Sequence, residues 1–226
     1  MWDHQRYPLL ELRRSVTSFV EELRARQSWD SHADDPVVVD IGCGNAPYRS
    51  LFERAGFTYT GCDIDGSPDV RIEVGAPVPL PDATANAVVS FQVLEHVWDL
   101  SAYLHDCRRL LCDGGLLYLS THGNWPYHPH PTDYRRWTPM GLRGEIESRG
   151  FRVVEQEFLL GPPAWMINYL LLAVFELVRT RGALARLAAK PLFLACNIVL
   201  PLIDRLTPAS IRCDNPSVIV IVAERG

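Results

Sequence analysis

Lysine is almost missing from this chain: Lys190 is the single one among 22 cationic residues, so arginine carries nearly all the positive charge. We read that bias as genomic base composition rather than chemistry. With 27 acidic side chains the net charge is −5, which argues against a nucleic-acid partner held by bulk charge. The six cysteines include no Cys-x-x-Cys pair, so reduced, mostly buried thiols are expected rather than a zinc site or a disulfide frame. Met1-Trp2-Asp3-His4 shows neither a basic nor an apolar stretch, and a cytoplasmic chain is the expectation. Internal repeats and low-complexity tracts are also missing.

What remains is a chain of 226 residues, 47% hydrophobic, long enough to bury about 70% of its unfolded surface in one domain. Residues 1–157 hold 23 acids and 15 bases, whereas 158–226 hold 4 acids and 7 bases, so the last third has a charge of +3 against −8 before it. Apolar spacing predicts an N-terminal helix over 9–26 within a helical cap at 1–30. Strands are expected at 37–41, 57–62, 70–74, 86–91 and 115–121, with helices near 46–55 and 99–112. That alternation predicts an α/β fold, a doubly wound sheet with helices on both faces. Thr138-Pro139 opens a further helix that closes at Gly150, before a sixth strand at 151–158 and a last strand at 217–223.

The run from Val37 through Ile41 leads into Gly42-Cys43-Gly44 and then a helix start. Gly42 permits the tight turn, Gly44 lets backbone approach a ligand, and the helix N-terminus offers free N–H groups. Asp63 follows 21 residues after Gly42, where an acid accepts hydrogen bonds from both hydroxyls of a ribose. Pro47 stands where a dinucleotide fingerprint has its third glycine, and Asp40 sets negative charge beside the turn, which repels a pyrophosphate and suits an amino group. An adenosyl ligand is therefore favoured over a dinucleotide.

Val-Asp-Ile-Gly-Cys-Gly (39–44), Gly-Cys-Asp (61–63), Val-Leu-Glu-His-Val (93–97) and Leu-Cys-Asp-Gly-Gly-Leu-Leu (111–117) occur in that order. The set, over a cofactor-binding core at 37–160, resembles the class I S-adenosylmethionine-dependent methyltransferases. The resemblance implies a Rossmann-like seven-stranded sheet whose seventh strand runs antiparallel beside the fifth. It implies that Asp40, Gly42, Cys43 and Gly44 face the methionine moiety, Asp63 and Ile64 the ribose, and Phe91 and Gln92 the length of the cofactor. Val74 and Gly75 depart from the acid-small pair that many relatives carry near the adenine.

Methyl transfer to a hydroxyl needs an aligned acceptor and a base. The stretch 122–138, with three prolines, three histidines and four aromatics, suits a rigid pocket beyond the fifth strand. Its His128…Asp133-Tyr134-Arg135-Arg136-Trp137-Thr138 resembles a His…Asp-Tyr-x-Arg-aromatic-Thr motif of methyltransferases in glycan and natural-product pathways. His128 is read as the base with Asp133 orienting it, and Tyr134 and Arg136 as acceptor contacts; a salt bridge between Asp133 and Arg136 that merely holds the loop is the competing reading. Glu95 and His96 are expected to face the pocket as acceptor contact and catalytic group, or else to cap and pack. Some quinone O-methyltransferases place a metal on Glu-x-x-Glu-His here. Gln92 removes one hard anionic ligand of that pattern, which leaves Mg²⁺ as an open alternative. His105, His122 and His130 are expected on loops or the surface.

Residues 161–216 form an apolar insertion before the last strand. Its uncharged runs, 158–175 and 191–203, are broken by prolines and flank Arg179, Arg181, Arg186 and Lys190. Helices buried against the sheet or a homodimer partner are expected, with a lipid-facing surface as the alternative. The function expected is O-methylation of a sugar, glycolipid-like or other small-molecule acceptor. The alternatives are N- or C-methylation of a small natural product, or a non-catalytic cofactor-binding subunit.

Overall fold

The structure, a computed structural model, describes residues 5–26, 36–129 and 132–226. Seven strands form one sheet: β1 (Val37–Ile41), β2 (Thr58–Asp63), β3 (Val70–Arg71), β4 (Ala85–Phe91), β5 (Leu111–His122), β6 (Phe151–Leu159) and β7 (Val218–Arg225), in the order β3-β2-β1-β4-β5-β7-β6. The strands β1 to β5 pair in parallel, and β7 inserts antiparallel between β5 and β6. The expected fold is the one observed.

Helices cover both faces, which is why the central strands read as nearly unbroken apolar runs. Alternate residues serve two cores. Val38, Val89, Tyr118 and Val220 pack under α1 (Arg6–Ala25) and α2 (Arg49–Arg54) on one face. Val39, Val88, Leu119 and Ile221 pack under α3 (Leu100–Leu110) and α4 (Pro139–Glu147) on the other. Asp99 caps α3 by accepting the Ala102 N–H at 3.0 Å, and Thr138 caps α4 by accepting the Gly141 N–H at 3.1 Å.

Three boundaries differ from expectation for local reasons. α2 starts at Arg49 because Ala46 takes a left-handed conformation ahead of Pro47. β3 stops at Arg71 because it is an edge strand with a neighbour on one side, and Val74 beyond it is exposed. β5 begins at Leu111, where pairing to β4 takes over residues expected to finish the preceding helix.

Between β6 and β7 lie α5 (Pro162–Arg179), α6 (Ala183–Leu206) and the short α7 (Ala209–Arg212). α5 and α6 form a hairpin whose base is pinned to the body through buried Asp204. Its carboxylate accepts the Tyr7 hydroxyl at 2.9 Å and the Gly161 N–H at 2.8 Å.

Candidate functional site

The turn after β1 is built as its glycines require. Gly42 has φ +82°, and a Cβ there would collide with the Val93 side chain. Its N–H and that of Cys43 both donate to the Cys62 carbonyl, at 2.8 and 3.1 Å, tying the turn to the end of β2. Asp63 accepts the Gly44 N–H at 2.7 Å and the Asp65 N–H at 3.1 Å, and its carboxylate still has acceptor sites to spare. Ile64 is half-buried beside it.

Asp40 is fully buried at the end of β1. The Tyr59 hydroxyl donates to its Oδ2, while Oδ1 accepts no hydrogen bond. Burial raises its pKa to about 7. At the neighbouring end of β4, Gln92 sits at φ +57° and donates its amide to Ser120 Oγ at 3.0 Å, while its Oε1 is buried and unpartnered. Phe91 packs at a tilt between Tyr48 and Tyr118, with centroids at 4.6 and 5.5 Å. Two unpartnered acceptor oxygens thus lie at adjacent strand ends above a glycine turn.

A second group of polar side chains gathers at the ends of β4 and β5. Glu95, in the 3₁₀ turn Leu94–His96, is fully buried; its Oε2 accepts the Thr121 hydroxyl at 2.8 Å and its Oε1 lies 3.2 Å from His122 Nε2. His122, expected on a loop or the surface, closes β5 and is 6% exposed. Burial drives both toward their neutral forms, raising the pKa of Glu95 and holding that of His122 well below the ordinary imidazole value. The ring of His128 stands edge-on to His122 and His96, at 5.1 and 4.9 Å. His128 Nδ1 lies 3.2 Å from both the Asp133 carboxylate and the Pro126 carbonyl. Arg136 Nη2 is also 3.4 Å from Nδ1, but the two nearer acceptors favour the proton on Nδ1, a tautomer that leaves Nε2 as an acceptor. Burial also lowers the His128 pKa, so the ring is neutral near pH 7.

Asp133 is held by the loop itself. Arg136 grips both its oxygens, at 2.5 and 2.6 Å, and these charge-assisted bonds hold its pKa far below the ordinary carboxylate value. The other Arg136 donors go to the carbonyls of Trp125, Pro126 and Arg135, so the guanidinium is committed to the loop. Tyr134 donates its N–H to the Glu95 carbonyl at 2.9 Å, and its ring packs on Trp98 rather than over the histidines. His96 Nδ1 contacts the Thr132 carbonyl, and its Nε2 is 4.0 Å from Glu95. His130 lies outside the described residues.

Glu95, His122 and His128 each offer one ligand atom, all within 4.8 Å of one another. Among the described residues this group holds a single carboxylate, Glu95, beside two imidazoles, which is not the hard oxygen set that Mg²⁺ prefers. His122 is the residue that sequence reasoning missed. The available signal was Ser120-Thr121-His122, three polar residues closing an apolar strand at the edge where α/β folds bind ligands.

Residues 3–156 match the model of a methyltransferase domain. The chain belongs to this methyltransferase-domain family. A protein of Mycolicibacterium smegmatis named probable S-adenosylmethionine-dependent methyltransferase is 32% identical over 133 residues, which is 51% of this chain and 52% of the relative. A ubiquinone biosynthesis O-methyltransferase of Paracidovorax citrulli is 30% identical over 101 residues, 37% of this chain and 42% of that protein. The chain thus spans about half the length of the curated relatives it matches. The fold of this methyltransferase domain is shared with an S-adenosylmethionine-dependent methyltransferase from Mesorhizobium loti, at a TM-score of 0.52 and 16% identity over 91% of this chain and 96% of the other.

Proposed function

We propose that the chain is an S-adenosylmethionine-dependent O-methyltransferase acting on a hydroxyl of a sugar, glycolipid-like or other small-molecule acceptor. The observation that carries the reading is the juxtaposition of a glycine turn with Asp63 and a neutral, carboxylate-oriented His128 at the same edge of the sheet. The names of the two curated relatives agree with it. The donor set fits the cofactor: the unpartnered oxygens of Asp40 and Gln92 suit its ammonium group, and Asp63 suits its ribose hydroxyls. When bound, S-adenosylmethionine supplies a methyl on an electrophilic sulfonium sulfur.

The chain's residues do the rest. Arg136 fixes Asp133, Asp133 accepts the His128 backbone N–H and lies beside its Nδ1, the Pro126 carbonyl holds the ring, and His128 Nε2 takes the acceptor hydroxyl proton as the oxygen attacks. Glu95 and His122 hold the floor of the site, and burial shifts each toward its neutral form.

Asp63→Ala is expected to weaken binding of S-adenosylhomocysteine more than about tenfold by calorimetric titration, since two charge-assisted bonds are lost. An absence of binding by the unaltered chain overturns the proposal.

A second reading rests on the three convergent donors Glu95, His122 and His128. Two imidazoles and a carboxylate, with Asp133 behind one imidazole, form the donor and outer-shell pattern of a site for Zn²⁺ or a similar ion. His128 would then be a ligand rather than a base. Elemental analysis of the purified chain and activity after chelation separate the two: the base reading expects no stoichiometric metal and no loss with chelator.

A further inference from the structure

The helical insertion was expected to be buried against the sheet or a homodimer partner, and within the single chain α6 is covered on one side only. Only 17% of the residues in its most apolar stretch are buried, and the helix is long and apolar enough to cross a membrane. Its outward residues are Leu184, Leu187, Leu192, Ile198, Val199, Leu202 and Leu206, which at the helical period fall along one side of the helix. Leu184 is 84% exposed and Leu206 81%. On α5, Met166, Tyr169, Leu170 and Leu177 continue the same kind of stripe. The usual amphipathic order is reversed, with the apolar side facing out.

Charge marks what covers it. From Glu176 to Lys190 the hairpin carries Arg179, Arg181, Arg186 and Lys190 against one carboxylate, a net of +3 within a chain of net −5. A second copy docked hairpin tip to hairpin tip would set like charge against like charge. An anionic bilayer brings phosphate oxygens for the arginines and acyl chains for the leucines.

Spanning is excluded by the other side of the hairpin. Phe193, Leu200 and Asp204 of α6 and Ala164, Asn168 and Leu171 of α5 are buried against the body, so lipid reaches one side only.

The hairpin is also connected to the site. The His122 ring stacks on Trp125 with centroids 4.9 Å apart and planes 6° apart. Trp125 stacks on Trp165 of α5 at 5.2 Å, and Trp165 meets Tyr169 at 5.5 Å. Tyr169 is half exposed on the outer stripe. A continuous row of rings therefore runs from the Glu95–His122–His128 cluster to the apolar surface.

We propose that the α5–α6 hairpin lies in the interface of an anionic membrane, its leucine stripe in the acyl boundary and its cations at headgroup level, and that the aromatic row admits a membrane-resident amphiphile as the methyl acceptor. The acceptor half rests on the O-methyltransferase reading; the membrane half does not.

The test uses the full chain and vesicles of phosphatidylcholine, with or without phosphatidylglycerol. Flotation with the anionic vesicles is expected, weakened about tenfold or more by high salt or by the pair Arg181→Glu and Arg186→Glu. Leu184→Ser with Leu192→Ser and Leu202→Ser is expected to abolish it, while the thermal midpoint and S-adenosylhomocysteine binding stay unchanged. Failure of the unaltered chain to float with anionic vesicles overturns the membrane proposal, and a stable dimer in the same solution then assigns the stripe to a second copy. Flotation that survives the triple serine variant also overturns it. Cofactor binding is measured separately, so failure of the methyltransferase reading leaves a different record from failure at the membrane. With acceptor activity in a lipid extract, the ring row is tested by Trp165→Ala, expected to raise KM about tenfold and leave a water-soluble acceptor unaffected.

Discussion

His128→Ala is expected to lower kcat by about 10²–10⁴-fold while S-adenosylhomocysteine binds as before. Of the two neutral, fixed imidazoles at the strand ends, His122 is buried, whereas His128 is partly exposed: burial lowers its pKa, and Asp133 and the Pro126 carbonyl lie against Nδ1. A hydroxyl has too high a pKa to attack as an alkoxide unaided, so removing the base falls on the chemical step. Incorporation of labelled methyl from S-adenosylmethionine into a lipid extract measures it, with calorimetry as the binding control. Asp133→Asn should reproduce most of the loss without altering His128, because the ring then loses its ionised partner. An acceptor amine arriving neutral needs no such base, so an unchanged kcat in both variants would move the reaction to nitrogen.

Asp204→Ala is expected to destabilise the fold by about 2–6 kcal/mol, the cost of leaving two buried donors without an acceptor. Those donors are the Tyr7 hydroxyl on α1 and the Gly161 N–H ahead of α5, so one carboxylate joins the N-terminal helix, the start of the insertion and the end of α6. For a chain of this size that range corresponds to a fall in Tm of roughly 5–20 °C. Asp204→Asn keeps a carbonyl acceptor and should lie between the two. Thermal denaturation of the three proteins checks the order; a shift of under about 2 °C for the alanine variant would show that α6 is not pinned there.

Sequence and structure agree wherever the determining interaction is local. Val37-Val38-Val39, Gly42-Cys43-Gly44 and Thr138-Pro139 each state their conformation within a few residues, and the strand, the turn and the helix start are where those residues put them. The acid at Asp63 was legible for the same reason, as the end of a strand at a fixed distance from the turn. The order of the sheet followed from the motif resemblance, not from pattern: nothing in Val218-Ile219-Val220-Ile221-Val222 says that it enters between β5 and β6.

The candidate site was legible only in part. His128 and Asp133 are five residues apart in one loop, and their association is written in that loop. Glu95, His122 and His128 come from a turn after β4, the end of β5 and the loop beyond, and their meeting depends on how adjacent strands end in register. Arg136 could be read as an acceptor contact until its donors were traced to Asp133 and three carbonyls, a matter of loop path.

The insertion shows the limit most plainly. Apolar residues recurring at the helical period determine that Ala183–Leu206 is a helix with an apolar side. Periodicity is the same whether that side faces a core or the outside. Tyr7 and Gly161, holding Asp204 at the opposite side of the helix, decide that Leu184, Leu202 and Leu206 point away from the body. The sequence by itself determined the helix, the turn and the His128–Asp133 loop, because each rests on neighbours along the chain. Tertiary structure decided which way α6 turns and which histidines meet, because both rest on contacts between residues far apart in sequence.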